Sequence, residues 1–249
     1  MNPARVTEPW MERTAMLLGS GGVERLLSAR VVVVGTGGVG AVAAEMLVRS
    51  GIGHIALVDP DVVSETNLNR QLPALHSTVG RLKVDVLGDR LKDINPDLEL
   101  VKIPEFIDET NQEALVLHAF GEQAPDFVVD AIDTLSPKVA LALLCLGSGI
   151  PLVSSMGSGA KTDATQVRLA DISKTYECPL ARMMRKRLRK EGVEKGFLAV
   201  FSPEIPDKTG MVIEESRNKK SQVGTVSYLP AVFGCVCAQA VVTRIAGVG

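Results

Sequence analysis

Aromatic side chains are scarce, with 6 Phe, 2 Tyr and 1 Trp making up 4% of 249 residues. The core must therefore rest on Val, Leu, Ile, Ala and Met. Cysteine is no richer: Cys145, Cys178, Cys235 and Cys237 include no C-x-x-C pair. Cys235 and Cys237 would lie about 200° apart on a helix, so a four-cysteine zinc site is not expected. Such usage fits a reduced, cytoplasmic chain. Net charge is also lacking, at -2, so only a local cluster could attract a polyanion. The longest apolar run, LPAVFGCVCAQAVV from Leu229 to Val242, contains Pro230 and Gln239. It falls short of the about 20 residues that span a bilayer, and is expected as a buried core helix with no membrane contact. The opening MNPARVTEPWMERTAMLLG has no apolar h-region and carries Glu8 and Glu12, unlike a signal peptide. Internal repeats are absent. With 46% hydrophobic and 22% charged residues, the composition excludes general disorder.

What is present is an alternation of strands and helices. RVVVVG is a β-branched run suited to a buried parallel strand, and GVGAVAAEMLVRSG is an amphipathic helix closed by Gly51. HIALVD, LELVKI, DFVVDAID and PLVSS read as further strands. Helices are expected from Lys83 to Lys92, near Asn111–Phe120, and over SPKVALALLCLGSG with Pro137 near its start. The expectation is an α/β, Rossmann-like doubly wound sheet, mostly parallel, with added antiparallel strands in the C-terminal part. One domain spans 1–249: a nucleotide-binding core (1–171), a basic helix and crossover segment (172–226) and a C-terminal core helix (227–249). Within the second part, LARMMRKRLRKEG is a basic helix and FLAVFS a strand. Residues 203–226 are polar, with prolines and glycines that suit a loop.

GTGGVG places Gly35, Gly37, Gly38 and Gly40 between a strand and a helix, where backbone N–H groups can receive phosphate oxygens. Asp59 follows Gly40 by 19 residues and is placed to take ribose hydroxyls. The stretch DPDVVSETNLNRQ then brings Asp61, Asn67, Asn69, Arg70 and Gln71 over the phosphate side. Arg70 offers a planar fork for phosphate oxygens, and Lys83 a point charge. A pyrophosphate bridge held by a nicotinamide enzyme needs none of these cations. Asp133, in DAIDTLSPK, lies just past the fourth strand, where it either holds Mg²⁺ or caps the next helix, a task Ser136 can also perform.

GTGGVG, DPDVVSETNLNRQ, GRLKVDV and DAIDTLSPK resemble the nucleotide-binding motifs of the ubiquitin-activating-enzyme-like superfamily, which includes ThiF and MoeB, over residues 13–171. The resemblance implies binding of ATP with Mg²⁺ and adenylation of a carboxylate. Asp59 would hold the ribose, Asn67, Arg70 and Lys83 the phosphates, and Asp133 the Mg²⁺. It implies a homodimer in which Arg13 crosses to the partner's ATP.

The paired C-x-x-C motifs common among sulfur-carrier-activating members are missing. ALHSTVGRLK, DISKTYECPLARMMRKRLRKEGV, VFSPE, GIGHIALVDPDVV and LKDINPD are similar instead to the branch of tRNA threonylcarbamoyladenosine dehydratases. That likeness covers nearly the whole chain, most weakly at 206–226. It implies ATP-dependent dehydration of the modified adenosine beside the anticodon, with ring closure inside one side chain. Arg182, Arg185, Lys186, Arg187, Arg189 and Lys190 lie within nine residues, a one-signed run suited to a tRNA backbone, joined by Lys219 and Lys220. MGSGAK, with Lys161, either borders the acyl pocket or is a plain connection. Cys178 and Cys235 are candidates for a thioester but better suited to structural roles. A sulfur-transfer partner such as a cysteine desulfurase is conceivable. The competing readings are a sulfur-carrier adenylyltransferase, a nicotinamide dehydrogenase and a binding-only module.

Overall fold

The computed structural model describes residues 8–207, 211–212 and 222–248. Lys219 and Lys220 lie outside the described residues. The main sheet has seven strands: β1 (Arg30–Val34), β2 (His54–Val58), β3 (Glu99–Ile103), β4 (Phe127–Asp130), β5 (Leu152–Ser155), β6 (Arg168–Asp171) and β7 (Leu198–Phe201). Their order is β3-β2-β1-β4-β5-β7-β6, parallel throughout except where β6 runs against β7. The helices are α1 (Glu12–Ser28), α2 (Gly40–Arg49), α3 (Lys83–Ile94), α4 (Leu135–Gly147), α5 (Pro179–Lys190) and α6 (Tyr228–Ala246). A separate antiparallel pair joins β8 (Met211–Val212) to β9 (Gln222–Val223).

The β-branched run of β1 explains the layering. Val31 and Val33 face a core shared with Leu47, Leu87, Phe233 and Val241, from α2, α3 and α6. Val32 and Val34 face the other, with Leu141, Met184 and Leu188 from α4 and α5. Period-2 alternation thus feeds two apolar faces, and a strand covered on both sides reads as continuous Val. Each such fully buried side chain contributes about 1.5–3 kcal/mol. Between α2 and α3 the buried carboxylate of Glu45 is clamped by Arg90 at 2.6 Å and Arg49 at 2.8 Å. Burial alone would raise its pKa, but the two guanidinium partners hold it below the ordinary carboxylate value.

Two local expectations need correction, and one helix is an addition. The helix foreseen near Asn111–Phe120 is a single wide turn over Glu113–Leu117, with the His118 N–H bonded to the Glu113 carbonyl. Gly121, at φ 71°, stops any continuation. The apolar C-terminal run extends to 19 residues in α6, long and apolar enough to cross a membrane by length and composition. Its Leu229, Phe233, Cys237 and Val241 are nevertheless buried in the core with α2. Helix α1, not foreseen, kinks at Gly19 (φ 73°, ψ 163°) and still packs Val23 and Leu26 inward. Arg25 fastens it by donating to the Ile245 and Ala246 carbonyls of α6.

Candidate nucleotide-binding site

The strand order reverses between β1 and β4, so a crevice opens at their carboxyl ends. Gly35 leaves β1 at φ 90°, and a Cβ there would sit 2.9 Å from the Ala131 carbonyl oxygen beyond β4. At Gly40 a Cβ would come 1.7 Å from the Gly35 carbonyl oxygen, so only glycine closes this turn onto α2.

Asp59, at the end of β2, is buried. Its Oδ2 accepts from the Thr36 N–H at 2.6 Å and the Thr36 hydroxyl at 3.0 Å, and its Oδ1 from the Asp61 N–H at 2.9 Å. The carboxylate therefore braces the glycine turn, with lone pairs left over from about four acceptor sites.

The NLNRQ loop lies directly against this turn. Ser64 and Asn67 close a short 3-10 turn reciprocally, the Ser64 N–H donating to Asn67 Oδ1 at 3.1 Å. Asn69 ties the loop to the segment before α6, donating to the Thr225 carbonyl at 3.0 Å, and accepts from Arg70 at 2.8 Å. The Gln71 amide would touch a Cβ at Gly37, and its Oε1 is buried without a hydrogen-bond partner among the described residues. Lys83, the first residue of α3, is buried and donates to Asp61 Oδ2 at 2.7 Å. A glycine-lined turn with Arg70 and Lys83 nearby suits phosphate oxygens, and the orphaned Gln71 Oε1, an acceptor, suits a hydroxyl or amino donor of the same nucleotide.

Asp133 is exposed on the turn after β4. Thr134, not Ser136, occupies the N-cap of α4, and its side chain makes no capping bond. Ser136 instead accepts from Arg187 of α5 at 2.8 Å.

Beneath this turn lies a group that sequence reasoning missed. Asp130 Oδ2 accepts from Lys138 Nζ and from the Ser154 hydroxyl, each at 2.6 Å, and all three residues are fully buried. Asp130 Oδ1 accepts from the Ile132 N–H at 3.0 Å, which sets the turn carrying Asp133. The signal was a single Lys inside the apolar helix SPKVALALLCLG, eight residues after a strand-end Asp.

Arg13 stands apart from this cluster. It is exposed on α1, one turn before the exposed Met16 and Leu17. Met11 packs against Gly51, past the end of α2. Because α2 starts at the cradle and its 10 residues run about 15 Å away from it, Arg13 sits at the opposite edge from its own chain's cradle.

Helix α5 buries Ala181, Met184 and Leu188, leaving Arg182, Lys186, Arg187, Arg189 and Lys190 exposed. Arg185 is half-buried and donates to the Thr175 hydroxyl. Burial, then the neighbouring Arg189 and Arg182, lower its pKa, which marks concentrated positive charge. In the loop after β5, buried Lys161 donates to the Ser202 carbonyl at 2.6 Å, and burial lowers its pKa against the opposing pull of Cys178 and Glu204. Cys235 is exposed and Cys237 buried, so the two do face apart.

The chain matches the ThiF family over residues 11–249. It is 42% identical over 232 residues to the tRNA threonylcarbamoyladenosine dehydratase of Bacillus subtilis, covering 90% of this chain and 89% of that one. It superposes with a TM-score of 0.85 and 34% identity on the crystal structure of Escherichia coli tRNA N6-threonylcarbamoyladenosine dehydratase, TcdA, in complex with ATP, covering 98% of both chains. Likeness to the Escherichia coli molybdopterin-synthase adenylyltransferase is 32% over 157 residues and reaches 63% of this chain. The chain belongs to the ThiF family.

Proposed function

We propose that this protein dehydrates threonylcarbamoyladenosine in tRNA at the expense of ATP. The observation that carries the reading is the cradle at the β1–β4 switch point, with Arg70 and Gln71 against its glycines and Lys83 held by Asp61 next to Asp59, together with whole-chain likeness to dehydratases of that name. The side-chain carboxylate of the modified adenosine attacks the α-phosphorus of ATP and pyrophosphate leaves. A nucleophilic atom of the same side chain then attacks the activated carbonyl, loses its proton and closes a ring as AMP leaves, and the net loss is one water.

A carboxylate nucleophile is already ionised at neutral pH, so the protein's task is to position it and to stabilise charge on phosphate oxygens. Gly37, Gly38 and Gly40 expose backbone N–H groups to the phosphates, Gly35, whose own N–H donates to the Val58 carbonyl at 2.8 Å, makes the turn, and Asp59 takes the ribose while fixing it. Asn67, Arg70 and Lys83 hold the phosphates, with Asp61 keeping the Lys83 ammonium in place and Asn69 anchoring the loop. Mg²⁺ held at Asp133 would neutralise charge on the leaving pyrophosphate. The arginines and lysines of α5 bind the tRNA backbone.

Incubating threonylcarbamoylated tRNA with the protein, ATP and Mg²⁺ is expected to remove one water from the modified nucleoside by mass spectrometry, only when ATP is present. An unchanged mass with intact substrate overturns the reading. Pyrophosphate exchange driven by a ubiquitin-like sulfur carrier would then identify the adenylyltransferase alternative.

The active unit in this reading is a homodimer. Arg13 lies far from its own cradle, beside Met16 and Leu17 at 81% and 83% exposure, an apolar pair suited to a second copy. Mixing inactive Arg13→Ala and Asp133→Asn proteins is expected to restore part of the activity through heterodimers. Heterodimers that form and stay inactive rule out the role in trans.

A further inference from the structure

Both tyrosines of the sequence are exposed, and the hydroxyl of Tyr228 donates to the Thr162 carbonyl at 2.7 Å. Tyr176 lies between β6 and α5 and is 45% exposed. Its ring stands edge-on to the buried Phe201, with centroids 5.6 Å apart and planes at 74°. The Arg168 guanidinium lies 5.9 Å from the Tyr176 centroid. Phe201 ends β7, and Arg168 pairs with it in register at the start of the antiparallel β6. The ring is thus anchored at the carboxyl edge of the sheet, the edge that carries the cradle. β7 is two strands along from β4, a distance of about 10 Å at about 4.8 Å per strand.

The ring is also next to the charged helix. Thr175, its neighbour in sequence, accepts from Arg185, which shares the charge cluster with Arg182 and Arg189. A part-exposed aromatic ring packed on Phe201, with the Arg168 guanidinium over it and Arg185 bonded to the adjoining Thr175, has the make-up of a stacking site for unpaired nucleobases. A purely structural ring covering Phe201 would not need cations concentrated beside it.

We infer that Tyr176, with Arg168, forms a stacking platform for an unpaired base of the RNA loop presented to the site, while α5 holds the flanking phosphates. This rests on the tRNA reading above and adds a base-contacting element to it. Stacking would fix the loop about two strands from the crevice, so that a side chain on a loop adenosine extends toward the α-phosphorus.

The test compares full-length wild type, Tyr176→Leu, Tyr176→Phe and Arg168→Gln in binding an unmodified anticodon stem-loop RNA and a loop-free duplex of the same stem. Melting temperature and ATP affinity serve as fold checks. Tyr176→Leu is expected to weaken stem-loop binding about 5- to 100-fold, with duplex affinity and the salt slope unchanged, since stacking releases no counterions. Tyr176→Phe keeps the affinity, which separates the ring from its hydroxyl. Arg168→Gln is expected to weaken stem-loop binding more than duplex binding. Wild-type stem-loop affinity in Tyr176→Leu, an equal loss on the duplex, or an equal loss in Tyr176→Phe overturns the inference. If wild type dehydrates tRNA while Tyr176→Leu binds normally, only the platform is lost. If wild type neither binds nor dehydrates tRNA, the functional reading falls and the platform with it.

Discussion

The carboxyl edge of the sheet is built in two contrasting ways. Around β1, β2 and β4 the polar groups are paired and mostly buried: Asp59 with Thr36, buried Lys83 with the exposed Asp61, Asp130 with Lys138 and Ser154. Around β6, β7 and α5 the charges are mostly exposed and repel one another, with Arg182, Arg185 and Arg189 coupled by like charge. The first arrangement suits a small ligand whose phosphates need preorganised donors at fixed places. The second suits a large flexible polyanion, for which many solvated cations suffice and affinity follows counterion release. Arg187 joins the two halves through Ser136, three residues after Asp133.

The largest effect is expected where pairing is deepest. Lys138→Met leaves the Asp130 carboxylate buried and uncompensated, and should cost about 3–5 kcal/mol of stability in urea unfolding. Adding Asp130→Asn removes the orphan charge and should recover much of that loss. A single mutant as stable as wild type would mean the pair is not the foundation of the Asp133 turn.

The exposed half should respond in the opposite sense. Reversing Arg185 and Arg189 to Glu is expected to weaken tRNA binding at least about tenfold at low salt and to flatten its salt dependence. Stability should be nearly unchanged, because like-charge repulsion is relieved as the Thr175 contact is lost. Unaltered tRNA affinity would reduce α5 to a solvated face and erase the contrast.

The smallest effect belongs to the thiols around the buried pair. Cys145 and Cys237 are pushed up to about 12, first by burial and then, at Cys145, by the Asp130 charge. At Cys237 the Lys138 charge pulls down and Asp130 up. A thiol pKa raised above its ordinary value of 9.0 leaves the unfolded chain with fewer bound protons between those limits. Their contribution is therefore complete below pH 9 and lost as pH rises toward about 12. Thiol titration at pH 8 should modify the exposed Cys235 first, with Cys145 and Cys237 reacting only on unfolding.

Much of the β1–β4 half could be read without coordinates. GTGGVG, Asp59 and N-x-x-R-Q are local in sequence, and their chemistry follows from spacing. Residues joined across long separations were not legible. Asn69 meets the carbonyl of Thr225, and Ser154 completes a network begun at Asp130. Helix α1 carries Gly19, Gly21 and Gly22, residues that disfavour a helix locally, and packing of Val23 and Leu26 carries it past the kink. Thr134 takes the cap position for which Asp133 and Ser136 were the alternatives, and the Ser136 hydroxyl accepts from Arg187, distant in sequence.

By itself the sequence determined the parallel sheet, the glycine cradle and the location of positive charge, since β-branched runs, turn glycines and charge density act over a few residues. Tertiary structure decided which groups became buried partners and which stayed free for a ligand. Burial of Lys138 and Lys161 and exposure of Tyr176 depend on which distant strands and helices come to lie beside them. That choice is made by the packing of two apolar faces on one sheet, and beyond the lone Lys in the apolar α4 little in the local pattern marks it.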